Sequence, residues 1–157
     1  MKYLVLFLSL VLASPALSGD FDKGKAAYLE GDYTTALEEI TPLSNDGNAA
    51  AQNLLGIMYE KGQGVPQDNA LAVKWYKLAA AQGELFAQRN LGVMYYKGTG
   101  MAEDVLRAQM WFTIASQAGY EKAQRDFNNL SPDLSPAQRE QVQSLVKACV
   151  ELQYKGC

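Results

Sequence analysis

Ser144-Leu145-Val146-Lys147 sets a hydroxyl and an amine three residues apart. That is the spacing at which penicillin-recognising serine enzymes hold their nucleophile beside a basic partner. The companion elements of that chemistry are missing. Ser44-Asn45-Asp46 is not S-D-N, and Lys97-Gly98-Thr99-Gly100 is not K-T-G. In a chain with 8 Ser and 10 Lys, chance alone supplies one S-x-x-K about as often as not. There is no His at any position, which removes Ser-His and Cys-His nucleophile pairs, imidazole acid–base work and imidazole metal ligands together. The adjacent acids Glu38-Glu39 and Glu103-Asp104 suit a solvated helix surface and helix N-termini. The glycine loops Gly62-Gln63-Gly64 and Gly98-Thr99-Gly100 are not followed by Lys-Ser/Thr and open no G-x-G-x-x-G, so they do not read as phosphate cradles. The sequence thus predicts no catalytic residue, no cofactor and no metal.

The elements around these residues repeat. "AQNLLGIMYEKGQGV" (51–65) returns as "AQRNLGVMYYKGTGM" (87–101), offset by 36. Ala51, Leu55, Gly56, Tyr59, Gly62 and Gly64 match Ala87, Leu91, Gly92, Tyr95, Gly98 and Gly100. The register holds through Asp68/Asp104, Ala72/Ala108, Trp75/Trp111, Ala79/Ala115 and Gly83/Gly119. Agreement over a whole unit at fixed period marks a repeat architecture.

Each unit reads as two helices. Ala51, Leu55, Met58 and Tyr59 make one helical stripe. Gly62 and Gly64 suit a helix end and the turn after it, Pro66 cannot continue the helix, and Asp68 can cap the next. That second helix carries Ala72, Trp75, Tyr76 and Ala79 on one face; Ala108, Trp111, Phe112 and Ala115 repeat it. Gly56 and Gly92 fall mid-helix, where glycine costs about 1 kcal/mol against Ala. The expected compensation is close approach of a large side chain, with Trp75 and Trp111 as the expected neighbours.

These residues resemble the SEL-one-like repeat (SLR) family, relatives of the tetratricopeptide repeats, whose pattern is A-x-x-x-L-G-x-x-Y-x-x-G-x-G-V-x-x-D followed by A-x-x-W-Y-x-x-A-A-x-x-G. The chain carries it at 48–83 and 84–119, with departures at Met101, Asn90 and Ser116. The resemblance implies an all-α, right-handed solenoid of antiparallel helix pairs, with about eight helices in all. Residues 19–47 read as a degenerate helix pair before the repeats. Residues 120–157 read as degenerate capping helices, with a break at "SPDLSP", Ser135 as a cap and Pro136 at the first helical position. The last helix is expected to bury Val142, Leu145, Val146, Cys149 and Leu152 on one side.

Cys149 and Cys157 stand eight apart, which resembles the cysteine-rich branch of that family, where a bridge staples a helix hairpin. Here a bridge would tie down the C-terminal tail. A buried Cys149 with a free Cys157, or an intermolecular bridge, are the alternatives. Some cysteine-rich SLR proteins have been linked to penicillin binding, which keeps an envelope enzyme acting on peptidoglycan or a β-lactam as the rival function.

"MKYLVLFLSLVLASPALSGD" has the layout of a secretory signal peptide, expected over 1–18: Lys2, an apolar run from Leu4 to Ala13, then small residues. The run is short beside the ~20 residues of a membrane span, so a retained anchor is the lesser reading, and the location expected is periplasmic or secreted in a bacterium. The formal charge is −3, and loss of Lys2 makes it one unit more negative. A mildly acidic chain does not suit nucleic acid. The Asn129-Leu130-Ser131 sequon is followed by Pro132 and carries no weight in such a setting.

A helical array without a catalytic constellation offers a curved surface, and the resemblance implies an adaptor or regulator that binds a protein or peptide. Positions where the two units disagree are free to serve binding. They are Asn53/Arg89, Leu54/Asn90 and Glu60/Tyr96, which makes Asn53, Glu60, Arg89, Asn90 and Tyr96 the candidate partner-binding residues.

Overall fold

The computed structural model describes residues 19–157; the expected signal peptide, 1–18, lies outside the described residues. Among the described residues eight α-helices follow one another: α1 (Phe21–Glu30), α2 (Tyr33–Asn45), α3 (Ala49–Lys61), α4 (Asn69–Ala80), α5 (Leu85–Lys97), α6 (Val105–Gln117), α7 (Glu121–Leu130) and α8 (Pro136–Glu151). A 3-10 turn, Ser131–Asp133, joins the last two, and the described residues hold no strand. From α1 to α7 each helix packs on the next in the chain, while α8 folds back against α6. This is the stack of helix pairs that the resemblance implies.

Local chemistry sets the helix ends. Aspartates cap α1, α2, α4 and α6: Asp20, Asp32, Asp68 and Asp104 each accept backbone N–H groups of the first turn. Asn48 caps α3, Glu84 caps α5, and Ser135 forms a reciprocal capping box with Gln138 at α8. The first helix of each repeat ends on a glycine in the left-handed region, Gly62 at φ 67° and Gly98 at φ 62°.

The second glycine of each loop explains the period. A Cβ on Gly64 would sit 2.8 Å from Tyr33 Cβ at the start of α2, and one on Gly100 would sit 2.3 Å from the Asn69 carbonyl oxygen at the start of α4. Each loop therefore seats on the first turn of the second helix in the preceding pair. Gln52 and Gln88, also matched, add a bond across the same junction. Their side-chain amides donate to the carbonyls of Ser44 and Ala80, at the end of the preceding second helix.

The mid-helix glycines do receive aromatic rings, but the tryptophan expectation is corrected. A Cβ on Gly56 would lie 2.7 Å from Tyr76 Cε1, and one on Gly92 2.6 Å from Phe112 Cε1. One residue further along a helix is about 100° around it, so Tyr76 and Phe112 face their own hairpin partner. Trp75 instead packs against the cluster of Ile40, Ala51, Leu54 and Leu55, and Trp111 lines a cavity with Lys77 of α4 and Ala81 just past its end; each indole reaches over to the preceding unit. Trp111 is buried and Trp75 partly exposed. A second correction falls on α8. Val142, Val146 and Cys149 are buried and Leu145 is half-buried, but the helix stops at Glu151 and Leu152 is exposed in the turn beyond it.

Cys149 and Cys157 are joined, with Cα atoms 5.5 Å apart. The bridge returns the chain after α8 onto the core cluster that contains Trp111 and Leu91.

Candidate functional site

Because the helices pair in sequence, α1, α3, α5 and α7 come to one face, and side chains link them directly. Tyr28 of α1 donates its hydroxyl to Gln63, just past α3, at 2.9 Å. Asn90 of α5 donates its amide to the Asn53 side-chain oxygen of α3 at 3.1 Å. Arg89 of α5 pairs through Nε with Asp126 of α7 at 2.6 Å. An edge-on contact of Phe86 with Tyr120, ring centroids 5.0 Å apart, ties the start of α5 to the start of α7.

Two grooves open on this face. One, of about 360 Å³, lies between α5 and α7, floored by Val93, Phe112 and Leu130 and rimmed by Arg89, Asp126 and Tyr96. The other, of about 310 Å³, runs along α1 and α3 to the start of α5. Tyr28, Leu29, Leu54, Ile57 and Phe86 line it, with Lys25 and Glu84 at its edges. Three of the large apolar side chains left exposed belong to these helices: Leu29 at 74%, Phe86 at 54% and Tyr96 at 49%. Burial raises the Glu84 carboxyl above its ordinary range, while the Ala87 and Phe86 N–H groups that it caps pull it down.

The five candidate residues are divided by the fold. Tyr96 is open to solvent at the groove edge. Arg89 lines the same groove with its guanidinium held by Asp126. Asn53 is buried and bonded to the half-buried Asn90, so both join α3 to α5. Glu60 accepts the Tyr76 hydroxyl at 2.6 Å. Burial first and the Glu60 carboxylate second push the Tyr76 phenol far up, so it stays protonated and donates. Leu54, the unmatched partner of Asn90, is core.

Phe86 and Leu29 were not among the candidates. For Phe86 the signal was present: it stands where the first unit has Ala50, a mismatch of the same kind as the others. Leu29 lies in α1, outside the strict repeats, where no comparison could mark it. Ser144 is on the exposed side of α8, its hydroxyl donating to the Glu140 carbonyl at 3.1 Å. Lys147 is exposed on the same helix. Among the described residues no His, Cys, Asp or Glu cluster has metal-binding geometry.

Comparison with known proteins places the repeats. The Sel1 repeat model matches residues 49–84 and 85–120. The chain is similar to a Sel1 repeat protein from Oxalobacter formigenes, with 34% identity over 73% of this chain and 47% of that one, and a TM-score of 0.69. It is also similar to a protective antigen of uropathogenic Escherichia coli strains displaying an SLR fold, with 30% identity over 83% of this chain and 29% of that one, and a TM-score of 0.79. The chain spans less than half the length of either solved protein. No curated protein matches the sequence. With two tandem repeats matched and the solenoid shared, the chain belongs to the Sel1-repeat family.

Proposed function

We propose that the chain is an exported docking scaffold that takes a protein or peptide segment along the α1–α3–α5–α7 face. The observation that carries this reading is the pair of grooves on one face, each with a large apolar side chain left in water at its edge. Exposed apolar side chains grouped around a groove are what a partner covers, and Sel1 repeats generally serve protein–protein contact. Phe86 and Tyr96 are the apolar anchors of this surface. Arg89, held by Asp126, offers charge at the rim, and the Asn53–Asn90 pair and Glu60 keep the helices in place beneath it. Residues 19–47 and 120–157 act as degenerate end units on repeats 48–83 and 84–119. Export rests on the leader-like residues 1–18 and on the Cys149–Cys157 bridge, which suits an oxidising compartment.

The test is crosslinking in the intact cell envelope followed by mass spectrometry, comparing the wild type with Phe86→Ser/Tyr96→Ser. Loss of one specific crosslinked protein, with unchanged helical content, supports the reading. A partner retained by the double variant moves the site off this face. Labelling by a fluorescent penicillin that disappears in Ser144→Ala would favour the envelope-enzyme reading instead.

A further inference from the structure

We propose that the segment after α8 is a disulfide-held strap that shields Trp111, and that a dithiol reductant releases it. It lies on the second-helix side of the stack and does not depend on the docking face proposed above. The two repeats provide an internal comparison. Trp75 and Trp111 are equivalent positions, each facing the preceding unit, yet Trp75 is partly exposed and Trp111 only 2% exposed. At Trp111 the strap makes part of the wall. Tyr154, Gly156 and Cys157 enclose a cavity of about 170 Å³ with Trp111, Leu91 and Lys77.

The strap's backbone depends on its anchors. Gln153 and Tyr154 are the two non-glycine residues with positive φ among those described, at 50° and 64°, and Gly156 follows at 77°. Consecutive L-residues hold that conformation only where their surroundings impose it. Two anchors do so. Tyr154 packs its ring on Gly83, where an added Cβ would lie 3.5 Å from Tyr154 Cε2, and Cys157 is bonded to the buried Cys149.

Cys157 is the less buried residue of the bridge, so a reductant thiolate attacks its sulfur and expels Cys149 as thiolate, which takes up a proton. The reductant's second thiol then displaces Cys157 Sγ from the mixed disulfide. The chain gains two thiols and the reductant leaves as its own disulfide. With that anchor gone, Gln153 and Tyr154 relax from positive φ, the strap leaves the cavity, and Trp111 becomes as open as Trp75.

The test uses the full chain with one tryptophan kept at a time. Trp75→Phe reports Trp111 and Trp111→Phe reports Trp75. Acrylamide quenching is measured before and after dithiothreitol, with mass spectrometry after alkylation verifying two free thiols. The expected result is that quenching of Trp111 rises on reduction to the level Trp75 shows throughout, Trp75 is unchanged, and far-UV helicity is preserved. In the wild type, the Trp111 indole N–H resonance should shift and exchange faster with solvent while that of Trp75 stays put, a readout that needs no substitution. A Trp111 equally shielded once both thiols are free overturns the proposal. So does loss of helicity on reduction, since the bridge would then hold the whole array and not a strap.

Discussion

Gly92→Ala puts the close-packed hairpin to its sharpest test, because helix propensity and packing predict opposite signs. In an open helix the change stabilises by about 1 kcal/mol. Here the new Cβ would lie 2.6 Å from Phe112 Cε1, 2.8 Å from Cδ1 and 3.3 Å from the Ala108 carbonyl oxygen, where ordinary contact begins near 3.4 Å. The ring cannot swing away freely, because Phe112 is buried in the main core cluster with Ala108, and the carbonyl belongs to α6 itself. Overpacking of this kind costs about 1–3 kcal/mol. The helix gain offsets part of it, leaving a net loss of about 1 kcal/mol and a fall in Tm of about 4 °C for a domain of this size. Urea unfolding followed by circular dichroism measures it, with Phe112→Ala as the second arm of a double-mutant cycle. In the Phe112→Ala background the same Gly92→Ala should become stabilising, because both ring contacts are gone and what is left against the propensity is the 3.3 Å approach to the Ala108 carbonyl, a tenth of an ångström or so short of ordinary contact. A single variant as stable as the wild type, or a sign that does not reverse in the cycle, would refute the argument that the glycine exists to receive the ring.

Three further outcomes follow from the same geometry. Asp104→Ala removes the acceptor for the Arg107 N–H and the side-chain pair with Arg107, and should lower unfolding stability by about 1 kcal/mol, read from the denaturation midpoint. Cys149→Ser/Cys157→Ser frees the loop between the two positions and should cost about 2–3 kcal/mol on the chain-entropy account, measured against the oxidised wild type by the same unfolding curve. Glu84 gives a pH dependence: its folded carboxyl is raised above the ordinary 4.5 by burial, so the native state holds the proton to higher pH than the unfolded chain. Stability on its account is greatest below the unfolded value, falls as pH rises through the folded one, and is flat above. Glu84→Gln should remove that decline from the difference between the two pH–stability curves.

How much was legible before the fold varied with the range of the interaction. The 36-residue period, the aspartate caps, the glycine ends and the Ser135–Pro136 restart are contacts within a few residues, and the chain states them directly. Which side chain fills Gly56 or Gly92 is a contact between helices. Trp75 and Tyr76 are adjacent and both bulky, and only the hairpin's rotation decides that the tyrosine faces the glycine while the indole faces the unit before it. The mismatch rule for binding residues marked positions that differ between units, but difference does not measure exposure. Asn53 and Asn90 differ because they bond each other across neighbouring units, and Arg89 because α7 brings it Asp126. Phe86 carried the same mark and stands in solvent.

The amino-acid order alone determined that this chain is a run of paired helices at fixed interval, because helix periodicity, capping and left-handed glycines act over one or two turns. Tertiary packing alone decided which polar groups are spent inside the array and which apolar ones remain on its surface, because that depends on how far each unit is rotated onto the last. It also decided where the segment after α8 goes. Two sulfurs eight residues apart permit a bridge, but it takes the stacked α4 and α6 to give the tail a groove to lie in and an indole to cover.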